Sequence, residues 1–247
     1  MGRFDEQVAI VTGSGNGIGR ATAIRLAAEG ARVTVAEIEV DSGHETVELI
    51  TRAGGSAIYS RTDTTDSASV KEAVSATIAA YGDVDVLVNN AGAFHVAGSW
   101  MEIMGSGVLD LMQVNLAAPM ALIQHVAPFM QERGWGRIVN ISSISVEHGG
   151  NPASVGYTAS KAALEVLTYS WAKTLARDGV LMNALRVGLT DTDFHQRNPG
   201  KSMETRVAQV PLGRMATAEE IASTIFFYGS NQNSFATGSI IKVAGGE

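Results

Sequence analysis

The sequence contains no cysteine. That excludes a disulfide framework, thiolate nucleophiles and thiolate metal ligands. Its five histidines, at positions 44, 95, 125, 148 and 195, form no ligand-spaced pair, so no catalytic metal is expected. Positive charge is sparse: the formal net charge is −7, and no basic run occurs. Nucleic acid is therefore not an expected partner. No apolar run reaches transmembrane length, and the segment Met1–Glu6 offers no signal-peptide core. A cytoplasmic chain without a membrane partner is expected. Asn140-Ile141-Ser142 matches a glycosylation acceptor, but its apolar strand context marks it as accidental.

What is present is an alternation of strand and helix patterns. The 247 residues, 45% of them hydrophobic, are enough for one α/β domain with a full core. Strand candidates are Val8–Val11, Arg32–Ala36, Ser56–Ser60, Val84–Val88, Arg137–Ile141, Leu181–Leu185 and Ser239–Val243. Helices are expected near 18–29, 41–53, 67–81, 106–132, 156–177 and 217–229, with Val70, Val74 and Ile78 as a core-facing stripe. Gly30, Gly54, Gly82 and Gly179 stand where helix stops belong. This order predicts a single doubly wound, Rossmann-type α/β domain spanning 1–247. Its sheet has seven parallel strands with helices on both faces. Gly105 and Gly107 predict a ragged start to the 106–132 helix. The stretch Thr190–Val210 breaks the alternation and reads as a loop, of a length that is usually functional.

Four motifs carry chemistry. Thr12-Gly13-Ser14-Gly15-Asn16-Gly17-Ile18-Gly19 lies between a buried strand and a helix. Glycines there permit a sharp turn and close approach of a pyrophosphate to the helix N-terminus. A tight turn that binds nothing would use the same glycines. Glu37, ending the next strand, lies where a carboxylate can accept hydrogen bonds from adenine-ribose hydroxyls. Tyr157-Thr158-Ala159-Ser160-Lys161 puts a phenol and an ammonium one helical turn apart, and a cation favours phenolate. Val86-Leu87-Val88-Asn89-Asn90-Ala91-Gly92 is the fourth.

Together with Asp63-Thr64, Asn115 and Ile141-Ser142-Ser143, these motifs resemble the short-chain dehydrogenase/reductase family in order and spacing, over essentially the whole chain. The resemblance implies catalytic roles for Asn115, Ser143, Tyr157 and Lys161. Tyr157 would move the proton, Lys161 would hold ribose hydroxyls and lower the Tyr157 pKa, and Ser143 would bond the substrate oxygen. Asn115 would hold a water chain leading from Lys161; a satisfied core amide is the alternative. Ser142 and Ser145 compete with Ser143, and the family pattern selects Ser143 although its spacing to Tyr157 is slightly long. His148–Pro152 would absorb the excess. For the dinucleotide, the implied contacts are Gly13, Asn16, Gly17, Ile18, Gly19, Glu37, Asp63, Thr64, Asn89, Ala91, Gly92, Tyr157 and Lys161. Gly188, Thr190 and Thr192 would serve the nicotinamide side. His95, Ser145, His148, Asn151, Leu189 and Phe194 are expected around the substrate. Two departures stand out: Val187 replaces the usual proline before Gly188, and Ala244 stands where Asp is common. Without proline the φ restraint is lost, so a more mobile 190s loop is expected.

The expected activity is NAD(H)-dependent interconversion of a secondary alcohol and a ketone. The alternatives are a 3-oxoacyl-carrier-protein-type reductase using NADPH and a non-catalytic dinucleotide-binding sensor. No cation directly follows Glu37 to receive a 2′-phosphate, which favours NAD over NADP. The helices near 106–132 and 156–177 are apolar on more than one face, and with the resemblance this implies a homotetramer.

Overall fold

The computed structural model describes residues 4, 7–97, 99–105, 107–192 and 202–247. Its strands are β1 (Val8–Thr12), β2 (Arg32–Glu37), β3 (Ser56–Arg61), β4 (Val86–Asn89), β5 (Gly136–Ser143), β6 (Val180–Val187) and β7 (Ile240–Val243). They form one parallel sheet in the order β3-β2-β1-β4-β5-β6-β7. β1 pairs with β2 on one side and with β4 on the other. The strand order reverses there, and parallel sheets bind ligands at the carboxyl ends of strands flanking such a reversal.

Strand side chains alternate between faces, so each strand serves two cores. Ala9, Val11, Val33, Val35, Val139 and Ile141 pack with Leu26 of α1 (Gly17–Ala28) and Phe226 of a late helix. Ile10, Leu87, Ile138 and Met182 face the other way. There they meet Val70 and Val74 of α3 (Ser67–Tyr81), which follows α2 (Val40–Arg52), and Leu122 and Leu164 of two later helices. Strands buried on both faces read as continuous apolar runs, and β1 and β4 are buried at every position.

The expected 106–132 helix is divided. A 3₁₀ turn, Trp100–Gly105, precedes α4 (Val108–Met112). A π-turn over Gln113–Ala117 leads into α5 (Ala118–Arg133). The ragged start is therefore present, and the π-turn was not expected. Such turns often mark a side chain with its own bonding demand, and Asn115 lies inside this one. After β5 come a short α6 (Ser145–His148) and α7 (Val155–Leu175), and after β6 come α8 (Met203–Val207) and α9 (Ala218–Gly229). α6 and α8 were not expected. Within the 190–210 stretch, the described residues 202–210 contain a helical turn, and 193–201 lie outside the described residues. No described helix is long and apolar enough to cross a membrane.

Candidate active site

The glycine turn closes directly on the end of β4. Gly13 has φ 61°, and a Cβ there would lie 2.9 Å from the Ala91 Cα. The Thr12 hydroxyl accepts from the amides of Asn90 (3.1 Å) and Ala91 (3.0 Å). Asn90 Nδ2 donates to the carbonyls of Thr12 (2.9 Å) and Gly13 (3.0 Å). Thr12 and Asn90, neither singled out from the sequence, thus join the two motifs. Asn16 precedes α1 without a side-chain cap. The first-turn amides near Gly17, Ile18 and Gly19 therefore gain no partner from that side chain, as an anion site requires.

The Glu37 carboxylate faces this turn. Oε2 accepts from the Gly15 amide at 2.8 Å, and Oε1 from Ile38 (2.8 Å) and Glu39 (3.1 Å). Arg20 is bound to Gly15 O (2.7 Å), Thr46 Oγ1 (3.1 Å) and Glu45 (2.6 Å). Asp63 accepts from the Thr65 amide and hydroxyl, which hold its pKa below the ordinary value. It lies beside half-buried Thr64, just past the end of β3. The resemblance gives Asn89 two roles, lining the ribose and supporting the end of the central strand. The residue is 2% exposed, and its Nδ2 donates to Asn140 Oδ1, whose own amide donates to Thr168. Asn89 supports the strand end from within the core. Ala91 and Gly92 follow it at the edge.

Beyond β4 the four expected catalytic residues converge. Ser143 ends β5, and its hydroxyl accepts from the Ser145 amide at 3.2 Å. It lies close enough to the Tyr157 phenol to draw its pKa down. The Tyr157 ring stands edge-on to Phe94, 4.9 Å between centroids. Lys161 is 4% exposed, and Nζ donates to Ile141 O at 2.8 Å and lies 6.0 Å from the Tyr157 ring centroid. Gly92 separates Lys161 from Asn115: a Cβ on it would lie 3.3 Å from Lys161 Nζ and 3.1 Å from Asn115 Oδ1. Asn115 is fully buried. Its Oδ1 accepts from the Ala93 amide, and its Nδ2 donates to Ala93 O and Ser160 Oγ, each at 2.9 Å. Ser160 in turn donates to Tyr157 O at 2.7 Å. The Asn115 side chain is thus a satisfied core amide, the alternative left open by the sequence.

Geometry also separates the three serines. Ser142 donates to Glu165 at 2.7 Å, away from Tyr157, and the Ser145 hydroxyl is buried without a partner. One electrostatic expectation is corrected. Burial pushes the Tyr157 phenol above its ordinary pKa, opposed first by Ser143 and then by Arg206 of α8. Lys161, expected to lower Tyr157, is itself pushed down by burial to about 8. Desolvation disfavours both charged forms.

The substrate-side expectations scatter. His95, His148 and Asn151 are exposed. Asn151 accepts from the Ala153 amide at 2.9 Å, and His148 lies 3.6 Å from Glu247. Leu189 is buried and lines a cavity of about 130 Å³ with Val210, Ile221, Val243 and Ala244. Phe194 lies outside the described residues. Of the 190s loop that was expected to be more mobile, residues 193–201 lie outside the described residues. Val187 O accepts from the Ile144 amide, and the Gly188 amide donates to Val243 O. Thr190 bridges to Ala216. A Cβ on Gly17 would lie 3.0 Å from Thr192, so this loop reaches the glycine turn.

A glycine turn at the strand-order reversal, with a half-buried tyrosine and serine and a buried lysine one strand away, defines a Rossmann-type oxidoreductase. A family model described as enoyl-(acyl carrier protein) reductase matches residues 13–247. The chain belongs to the short-chain dehydrogenase/reductase family. It is 35% identical over 244 residues to 3-oxoacyl-(acyl-carrier-protein) reductase FabG of Thermotoga maritima, covering 99% of this chain and 98% of that one. Over 243 residues it is 36% identical to cis-4-hydroxycyclohexanecarboxylate dehydrogenase of Sinomonas cyclohexanicum, covering 98% and 97%. Among solved structures, a 7α-hydroxysteroid dehydrogenase complexed with NADH and 7-oxo glycochenodeoxycholic acid superposes with a TM-score of 0.93. It shares 31% identity, covering 99% of this chain and 95% of that one.

Proposed function

We propose that this oxidoreductase interconverts a secondary alcohol and a ketone with NAD(H), and that Tyr157 is its acid/base. The observation that carries the reading is a desolvated Tyr157 phenol that Ser143 draws down in pKa, one helical turn from buried Lys161. A mere binder of dinucleotide needs neither hydroxyl. In the oxidation direction, the Tyr157 oxygen takes the alcohol proton while Ser143 donates to the substrate oxygen and steadies its charge. In the reduction direction Tyr157 returns the proton. Lys161, held by Ile141 O, keeps its ammonium 6.0 Å from the Tyr157 ring centroid. A bound nicotinamide supplies or accepts the hydride.

The residues present fit a dinucleotide. The Gly13, Gly17 and Gly19 positions leave a cradle that a Cβ would fill or strain, and the uncapped N-terminus of α1 suits a pyrophosphate. Gly188, Thr190 and Thr192 would take the nicotinamide side. Glu37 would accept from the ribose hydroxyls, while Arg20 is engaged by Glu45, Thr46 and Gly15 O. This supports NAD over NADP. The solved hydroxysteroid dehydrogenase carries NADH, which is consistent with that preference. The match to FabG favours a second reading, a carrier-protein-linked reductase; Glu37 weighs against its use of NADPH.

Exposed Val166 and Tyr169 on α7, and exposed Leu212, Phe227 and Phe235 near β7, support two self-association faces and hence a homotetramer. Light scattering giving a monomer at micromolar concentration would contradict this. The functional reading is tested with a panel of secondary alcohols and ketones, including 3-oxoacyl thioesters, followed by cofactor absorbance with NAD and NADP. Turnover of an alcohol or ketone with NAD is expected. Turnover confined to thioesters with NADPH would select the second reading, and none with either cofactor would overturn both.

A further inference from the structure

Behind Ser143 and Lys161 lies an ion pair, its carboxylate buried and its guanidinium partly exposed, that the proposed chemistry does not use. Glu165 sits one turn after Lys161 on α7 and is 3% exposed. Its carboxylate receives two bonds from Arg186 on β6, Nε at 2.8 Å and Nη2 at 2.7 Å. It also accepts from Ser142 Oγ at 2.7 Å. Arg186 is directly opposite Ser142 in the β5–β6 ladder, and Val187 is opposite Ser143. One carboxylate therefore ties α7, the end of β5 and the end of β6 together. Arg186 reaches further to Glu147 of α6 at 3.5 Å, and Lys242 of β7 holds the same Glu147 at 2.9 Å.

A pair of this kind is poor evidence for stability. Desolvation offsets most of the attraction, and well-packed apolar residues often replace such pairs at no loss. Its geometry, however, is restrictive, since a guanidinium fork fits a carboxylate in one plane. The restraint falls on the peptide before Ser143 and on the residue before Val187, where the family's proline is missing. Ile141, whose carbonyl holds Lys161, is one residue before Ser142.

We infer that Glu165 and Arg186 are positioning residues: their two-pronged pair, anchored on Ser142, aligns Ser143, Lys161 and the Val187-Gly188 turn for the reaction. This rests on the proposed dehydrogenase chemistry. A drift of about 1 Å in such groups costs up to about a hundredfold in rate.

The test compares Glu165→Gln, the double variant Glu165→Met/Arg186→Met, Arg186→Lys and Tyr157→Phe. Melting temperature, NADH affinity by fluorescence and steady-state kinetics on one accepted substrate are read for each. Glu165→Gln is expected to lose melting temperature and turnover together. The double variant should regain the melting temperature, keep NADH affinity within about threefold, and still lose kcat by about tenfold or more. Arg186→Lys should melt near wild type with a partial loss of kcat, because an ammonium lacks the fork. Wild-type kcat in either the double variant or Arg186→Lys overturns the inference. Tyr157→Phe separates the two failures: if it retains turnover, the dehydrogenase reading itself falls.

Discussion

On the β1–β2–β3 side of the sheet, the polar groups of the site are held by near neighbours. Glu37 accepts from the Gly15, Ile38 and Glu39 amides. Thr12 and Asn90 knit the glycine turn to β4. On the β4–β5–β6 side the balance differs. Lys161 and Tyr157 are charged only against desolvation, and Asn89 Oδ1, Ser145 Oγ and Thr158 Oγ1 are buried without partners. Unpartnered buried polar atoms and shifted ionisable groups cost stability, and they gather where chemistry needs them. The comparison teaches that one half is held by its own hydrogen bonds, while the other carries a standing energetic cost that the proposed chemistry would account for.

The largest effect that tests this contrast comes from Lys161→Met. Turnover should fall by about a hundredfold or more, and cofactor affinity should fall with it. Yet the protein without dinucleotide should melt a few degrees higher at pH 7, because the desolvated ammonium is gone. The sign follows from linkage. Folded Lys161 titrates at about 8 against an ordinary 10.5. Between those values the unfolded chain binds more protons, so stability rises with pH across that window. The cost is full below about 8. The advantage of the variant should therefore shrink as pH approaches 10.5. A lower melting temperature at pH 7 would break the contrast.

A smaller effect concerns the cradle. Steady-state kinetics with both cofactors should give NAD at least a tenfold advantage in kcat/KM, since a phosphate facing Glu37 costs about 1–4 kcal/mol. Glu37→Gln should narrow it. Equal constants in the wild type would mean that Glu37 faces something other than the ribose. Smaller again is Gly13→Ala. Its positive φ and the 2.9 Å approach to Ala91 predict a loss of about 1–2 kcal/mol in thermal or denaturant unfolding. An unchanged midpoint would show the turn to be looser than described.

Much of the fold was legible, because strands buried on both faces leave runs such as Val8–Val11, and glycines such as Gly82 mark helix ends. The glycine turn was equally legible, since turn and helix start adjoin in sequence, but the bonds that tie it to Asn90 and Glu37 span 78 and 22 positions. The catalytic side was read only as residue types. Nothing local reveals that Asn115 bonds Ala93 through a π-turn, or that Asn89 turns to Asn140. Those bonds span 22 and 51 positions. Glu165 offered one signal, an acid on a largely apolar helix. Arg186 stood inside the departure already noted at Val187, but its partner lies 21 residues away. The substrate side was least legible: nothing local in the sequence places Leu189 beside Ile221 and Val243 around one cavity.

The most direct test of the central claim is Tyr157→Phe, with NADH affinity and kcat measured on the same preparation. The ring and its contact with Phe94 survive, and only the proton-carrying oxygen is removed. The account predicts affinity within a few-fold of wild type and kcat lower by about 10²–10⁴. A kcat within a few-fold of wild type would contradict it.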